Sequence, residues 1–140
     1  MKYKFFEHTA DALFEAYGKN LEELLTNAGL ALEEIMVDLQ SVKPTTQKKI
    51  LIKGKNPEEL VFNFLEELIF IKDTKLLLFN TFNIKVREKK QILTATILAT
   101  GEKINQKKQK LGRDAKAITM HEFEVKKTKA RWKARILVDI

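Results

Sequence analysis

Apolar positions along the chain switch between a period of two and a period near 3.6, and the switches mark out its elements. Lys2–Phe6 alternates with Tyr3 and Phe5 on one face, which predicts a strand. Leu13, Glu15 and Tyr17 alternate with Phe14 and Ala16, predicting a second strand that ends at Gly18. The two stretches lie close enough to pair, with His8-Thr9-Ala10-Asp11 at the turn. Asn20 is a suitable helix cap with Glu23 three residues on, an approximate capping box. Leu21, Leu24, Leu25, Ala28, Leu32, Ile35 and Met36 then keep helical spacing to about Val37. Ser41-Val42-Lys43-Pro44 breaks the chain.

Lys48–Gly54 predicts a strand with Ile50 and Ile52 on one face and Lys49, Leu51 and Lys53 on the other. Asn56, Pro57 and Glu58-Glu59 form a clear helix start: a cap, a proline where no N–H is needed, and acids at the positive dipole end. Leu60, Phe64, Leu65, Leu68 and Ile71 give its buried stripe, widened by Val61 and Phe62. Two β segments follow, about Leu77–Lys89 and Gln91–Thr100, turning at Glu88-Lys89-Lys90. Glu102–Gly112 has almost no apolar residues and reads as a mobile basic loop. Lys116–Lys126 is ambiguous, with Phe123 and Val125 favouring strand. Arg131–Asp139 alternates Trp132, Ala134, Ile136 and Val138 against Arg131, Lys133 and Arg135. Two main helices and six or seven strands, mostly hairpin-linked, predict an α+β two-layer sandwich with a mostly antiparallel or mixed sheet, in one domain over residues 1–140.

Charge adds an asymmetry that the hydrophobic pattern lacks. Through residue 100, 14 Lys/Arg balance 14 Asp/Glu, whereas the last forty residues hold 12 against 5, which accounts for the net +7. Such a region either attracts a polyanion, RNA being the usual candidate, or is a lysine-rich surface kept for solubility. The longest apolar run, Leu76-Leu77-Leu78-Phe79, is far too short to cross a bilayer, and residues 1–15 carry Glu7, Asp11 and Glu15, against a signal peptide. With no cysteine, disulfides and thiolate metal sites are excluded, and a cytoplasmic setting fits.

Enzyme chemistry is sparse. There is no GxGxxG, Walker A, GxSxG or HExxH pattern, and Ser41 is the sole serine, so no nucleophile triad can be assembled and the chain reads as non-catalytic. A metal site has better support. Asp11, Asp139 and the Ile140 carboxylate offer hard oxygen ligands suited to calcium, magnesium or manganese, should the two ends of the chain meet. His8 can add a nitrogen; alternatively Asp11 is a turn residue, Asp139 a surface charge, and His8 and His121 structural. Trp132 among Lys129, Arg131, Lys133 and Arg135 can be a stacking platform, but its alternation with Ala134 and Ile136 places it in the core.

Several stretches together resemble the archease family: Glu7-His8-Thr9-Ala10-Asp11, Ala16-Tyr17-Gly18 with Leu21-Glu22-Glu23-Leu24, Phe64–Ile69 with Asp73-Thr74, Gly101-Glu102, Lys116-Ala117-Ile118-Thr119 with His121, and the closing Trp132–Ile140. The resemblance runs essentially end to end. It implies a non-catalytic accessory protein of tRNA splicing and RNA repair. Archeases assist the tRNA-splicing RNA ligase that joins 3′-phosphate or 2′,3′-cyclic phosphate ends to 5′-hydroxyl ends, promoting guanylylation of the ligase and its multiple turnover. Some members are described as chaperone-like partners of a tRNA cytosine methyltransferase. The resemblance implies a divalent metal at Asp11, Asp139 and Ile140 and a functional lysine at Lys116, which with His8 in support is expected to contact the partner's active site. The basic loop, by its composition, is expected to make weak or indirect tRNA contact through Lys107, Lys108, Lys110 and Arg113. Two departures stand out: Lys107–Leu111 lacks the Arg-His usual before the lysine motif, and Met120 stands where the family carries tyrosine.

Overall fold

The computed structural model describes residues 1–8 and 10–140; Thr9, within the predicted turn, lies outside them. Its strands are β1 (Tyr3–Phe6), β2 (Ala12–Gly18), β3 (Thr46–Gly54), β4 (Leu77–Lys89), β5 (Ile92–Lys103), β6 (Ala117–Lys127) and β7 (Trp132–Asp139), and its helices α1 (Leu21–Met36) and α2 (Pro57–Lys75). All pairings are antiparallel, and the strands divide into two sheets, β1-β2-β7-β6 and β3-β5-β4. The architecture is α+β, as the pattern of elements predicts.

Both helices begin through the same local chemistry. The Asn20 side chain accepts from the Glu23 N–H at 2.8 Å, and Asn56 accepts from the Glu59 N–H at 2.8 Å. Each glutamate in turn accepts from a backbone N–H upstream, Glu23 from Lys19 and Glu59 from Lys55. Both starts are thus closed by reciprocal bonds worth about 1 kcal/mol per cap. α2 ends at Leu76, whose φ of 55° is left-handed and turns the chain straight into β4.

The helices join the two sheets. α1 packs on β2 and β7 and also on β4, while α2 packs on β3 and β5 and also on β6. One continuous core results, with Phe14 from β2, Phe64 from α2 and Phe79 from β4 fully buried. Ala12, Phe14 and Ala16 of β2 enter that core beside Ala134, Ile136 and Val138 of β7, as their alternation predicts. In β3, Ile50 and Ile52 are buried while Leu51 is 62% exposed, again in agreement with the alternation. Trp132 lies half-buried against the core, with the Lys127 ammonium 5.7 Å from its ring, so it is not an open stacking platform. The ambiguous stretch is strand β6, interrupted where the register shifts between Thr119 and Glu124.

Candidate functional site

The end of the first sheet brings together residues from both ends of the chain. Ala12 pairs with Val138, so Asp11 and Asp139 are the next positions on two neighbouring strands. Asp11 is half-buried and Asp139 exposed, and Ile140 packs half-buried against the core. On the other side of β7, Ala117 pairs with Asp139, and the Lys116 N–H donates to the Asp139 carbonyl at 2.7 Å. Asp139 therefore stands between Asp11 and Lys116, with the exposed Lys116 side chain at the same sheet end. Two strand spacings, about 10 Å, span the three positions.

The donors at this end are hard oxygens, which fits calcium, magnesium or manganese. Among the described residues no group of three His, Cys, Asp or Glu side chains is placed to hold an ion. Asp11 and Asp139 would make a partial coordination sphere, leaving positions for water or oxygens from another molecule.

His8 is engaged elsewhere. Its Nε2 lies 3.7 Å from the Glu122 carboxylate, and Glu122 accepts from Arg135 at 3.0 Å. Arg135 also donates to Glu15 at 3.1 Å, and Lys133 and the Tyr17 hydroxyl meet the same carboxylate at 3.4 and 2.9 Å. Partial burial pushes the Glu15 carboxyl up, but the hydrogen bonds from Tyr17, Arg135 and Lys133 outweigh it and hold the group below its ordinary range. The Arg135 hydrogen bond likewise holds Glu122 down. This charged row is made possible by β6, where Met120–Phe123 oppose the single residue Ile136 of β7. Glu122, at a left-handed φ of 57°, is thrown over the sheet face towards Arg135. Sequence reasoning missed Glu15, Glu122 and Arg135 as a unit; the only local signal is the broken alternation at Met120–Glu122.

The basic loop is tied down rather than loose. Gln109 is buried, donates to the Glu102 carboxylate and the Lys103 carbonyl at 2.8 Å each, and accepts from the Asn105 N–H at 2.9 Å. Beyond it, Leu111 bridges Val37, the Asp38 N–H donates to the Lys110 carbonyl, and the Gly112 and Arg113 N–H groups donate to Met36 and Ile35. Lys107, Lys108 and Lys110 are exposed on this loop, held near the C-terminal end of α1, and Arg113 follows them. The loop satisfies carbonyls that the helix end leaves open.

Behind the loop lies a pocket of about 130 Å³ lined by Lys72, Leu78, Ile104, Arg113 and Asp114 among others. Buried Lys72 donates to the Asp114 carboxylate and to the Ala115 carbonyl, and also meets Asp73. Burial lowers the Lys72 ammonium, but its bonds to Asp114 and Asp73 more than offset that and raise it. Glu33 is completely buried; one oxygen accepts from the Phe79 N–H at 3.0 Å and the other has no partner among the described residues. Burial pushes its carboxyl up to about 8, against the pull of the Phe79 N–H and Lys72, so it is held protonated at neutral pH.

The sequence profile of the Archease protein family (MTH1598/TM1083) matches residues 3–140. Protein archease of Methanothermobacter thermautotrophicus is 37% identical over 138 residues, covering 99% of this chain and 98% of its own. Protein archease of Methanosarcina barkeri is 34% identical over 140 residues, covering 99% and 96%. The solution structure of Methanobacterium thermoautotrophicum protein 1598 superposes with a TM-score of 0.88 at 37% identity, covering 99% of this chain and 98% of that one. The crystal structure of an archease from Thermotoga maritima, described as a possible chaperone, shares the fold at a TM-score of 0.63 and 22% identity, covering 98% and 96%.

Proposed function

The chain belongs to the archease family, and from that premise we propose that it is an accessory protein of the tRNA-splicing RNA ligase, promoting the ligase's guanylylation and repeated turnover. The observation that supports this reading most is the meeting of Asp11, Asp139 and Lys116 at one open sheet end. Among the described residues no helix is long and apolar enough to cross a membrane.

Guanylylation brings a nucleotide triphosphate to a nucleophile, so charge on the phosphates has to be neutralised and oriented. Asp11 and Asp139, with the Ile140 carboxylate, would hold an oxygen-ligated divalent cation, which supplies positive charge beside phosphate oxygens when bound. The Lys116 ammonium, on a flexible stem at the same end, can meet a phosphate as a point charge. Its backbone is fixed by the bond to Asp139, so carboxylates and ammonium are presented in constant register. His8, whose Nε2 faces the Glu122 carboxylate, would take a supporting part beside this end.

The test measures guanylylation of the purified ligase with no addition, with this protein, and with its Asp139→Ala variant. Stimulation by the wild type that disappears in the variant supports the proposal. Equal rates in all three reactions sink it.

A further inference from the structure

The excess positive charge of the last forty residues draws attention to the basic loop, but the structure gathers a cleaner positive surface elsewhere. In the β3-β5-β4 sheet, register sets Lys49 across from Leu98 and Asn83, Leu51 across from Thr96 and Lys85, and Lys53 across from Thr94 and Arg87. These residues lie on the face opposite Ile50, Ile52, Ala95, Ile97 and Ile84, which enter the core. Lys49, Lys53, Lys85 and Arg87 are exposed, and none forms an ion pair among the described residues. No acidic residue alternates onto this stretch of the face, which every second residue of 47–53, 83–89 and 92–98 makes up; Glu88 falls on the other side, with Ile84 and Val86. Glu102 comes onto the same side only at the far end of β5, past the register shift of β4, where Gln109 and the Lys43 N–H engage it. Acids offset these cations in the sequence count, yet many of them, such as Glu22, Glu58 and Glu66, sit on the helices.

The shape matches the charge. Cations line the two outer strands, about 10 Å apart, while the middle strand presents the short side chains of Thr94 and Thr96 between Ile92 and Leu98. A shallow hollow of about 320 Å³ runs between them, lined by Lys49, Asn83, Lys85 and Thr96 with Ile97 and Leu98 of the middle strand. Along each strand same-face residues repeat about every 7 Å, a reach comparable to one nucleotide of extended backbone. Hydroxyls and an amide in the floor can bond phosphate or sugar oxygens.

We infer that this acid-free stretch of the outer β3-β5-β4 face is a docking surface for the sugar–phosphate backbone of RNA. A folded acidic protein is a poorer occupant: the stretch has no aromatic anchor, and its one strongly exposed large apolar side chain, Leu51, stands between Lys49 and Lys53 on β3 and is not part of an apolar cluster. With no ring to stack on a base, the surface reads charge and spacing and not sequence. The loop lysines fit less well, since Lys108 lies in the field of Glu102 and the Lys110 backbone is bonded beside Asp38.

The experiment is fluorescence anisotropy of a labelled RNA hairpin with a single-stranded tail, titrated with full-length protein from about 25 to about 200 mM KCl. The Lys49→Gln/Lys53→Gln/Lys85→Gln/Arg87→Gln variant should bind at least about tenfold more weakly at the lowest salt. Its plot of log affinity against log salt should flatten, by about 0.7–0.9 for each phosphate that is no longer neutralised. The Lys107→Gln/Lys108→Gln/Lys110→Gln variant should keep most of the affinity and slope. All substituted residues are exposed, so both variants should melt with the wild type, and circular dichroism checks this. Unchanged RNA affinity in the sheet variant overturns the inference. So does a larger loss in the loop variant, or a sheet variant whose only defect is in binding anionic lipid vesicles or an acidic protein.

Discussion

The Lys116 N–H donates to the Asp139 carbonyl at 2.7 Å, extending the β6–β7 ladder beyond its last paired residues. Since β7 also runs beside β2, that bond sets Lys116 and Asp11 on either side of a single strand. The backbone role of Lys116 and the proposed role of its ammonium are separable. Lys116→Ala keeps the N–H, so stability should stay within about 0.5 kcal/mol of wild type while ligase stimulation falls. Lys116→Pro removes the donor and should cost about 1 kcal/mol or more in a denaturant melt. Full stimulation by the alanine variant would count against a role for the ammonium.

Asp11 and Asp139 contribute carboxylates from different strands to the same sheet end, so the proposed cation needs both. Titration calorimetry with calcium, magnesium and manganese should find binding in the wild type, weakened at least about tenfold in Asp11→Asn and in Asp139→Asn alike. A His8→Ala variant should bind the cation as the wild type does, because His8 is turned to Glu122. Loss of binding with His8→Ala and not with Asp139→Asn would reverse the assignment.

Glu33 makes stability depend on pH. Its folded-state carboxyl is raised to about 8 from an ordinary 4.5, chiefly by burial. The folded state therefore binds the proton more tightly than the unfolded one. The stability from this group is fully present below the unfolded value and is lost as pH rises through about 8. Urea melts from about pH 5 to about pH 9 should show the wild type losing stability towards alkaline pH relative to Glu33→Gln, which cannot ionise. Parallel pH profiles for the two proteins would show that Glu33 does not titrate as the burial argument requires.

Gly101 lies on β5 opposite Phe79, where the register of β4 shifts. A Cβ there would collide with the Leu78 carbonyl oxygen and stand 2.6 Å from the Phe79 Cα, both backbone atoms that cannot swing aside. Gly101→Ala should lower stability by about 1–3 kcal/mol or more, the usual range for overpacking, read as a drop in melting temperature. A melt unchanged from wild type would mean that β4 and β5 separate there without penalty.

What is legible in the sequence is what is local. The Asn20 and Asn56 caps, with Glu23 and Glu59 three residues on, are each fixed within one helical turn, and alternation sorts Ile50 from Leu51 and Ala134 from Arg135. Division of the strands into two sheets is not legible, because strand spacing and polarity do not say which edges pair. The basic loop reads as free because nothing near Gln109 in sequence announces that its amide will be buried against Glu102 and Lys103. Glu33, beside Glu34 in a charged pair, looks like surface; only the arrival of β4 against α1 buries one and leaves the other exposed. At the candidate site, Asp11 and Asp139 carry no spacing signal of their own, and resemblance to the archeases singles them out. The structure adds the register that sets them on neighbouring strands.

If the Asp11–Asp139–Lys116 end of the sheet drives turnover of a partner ligase, the effect belongs in the yield of ligated RNA per ligase molecule. The most direct measurement follows that product over time with ligase limiting and RNA in large excess, with wild-type protein, Asp139→Ala or no addition. Product well beyond one equivalent of ligase is predicted with the wild type, and a plateau near one equivalent in the other two reactions. Multiple turnover sustained equally by Asp139→Ala, with its fold intact, would contradict it.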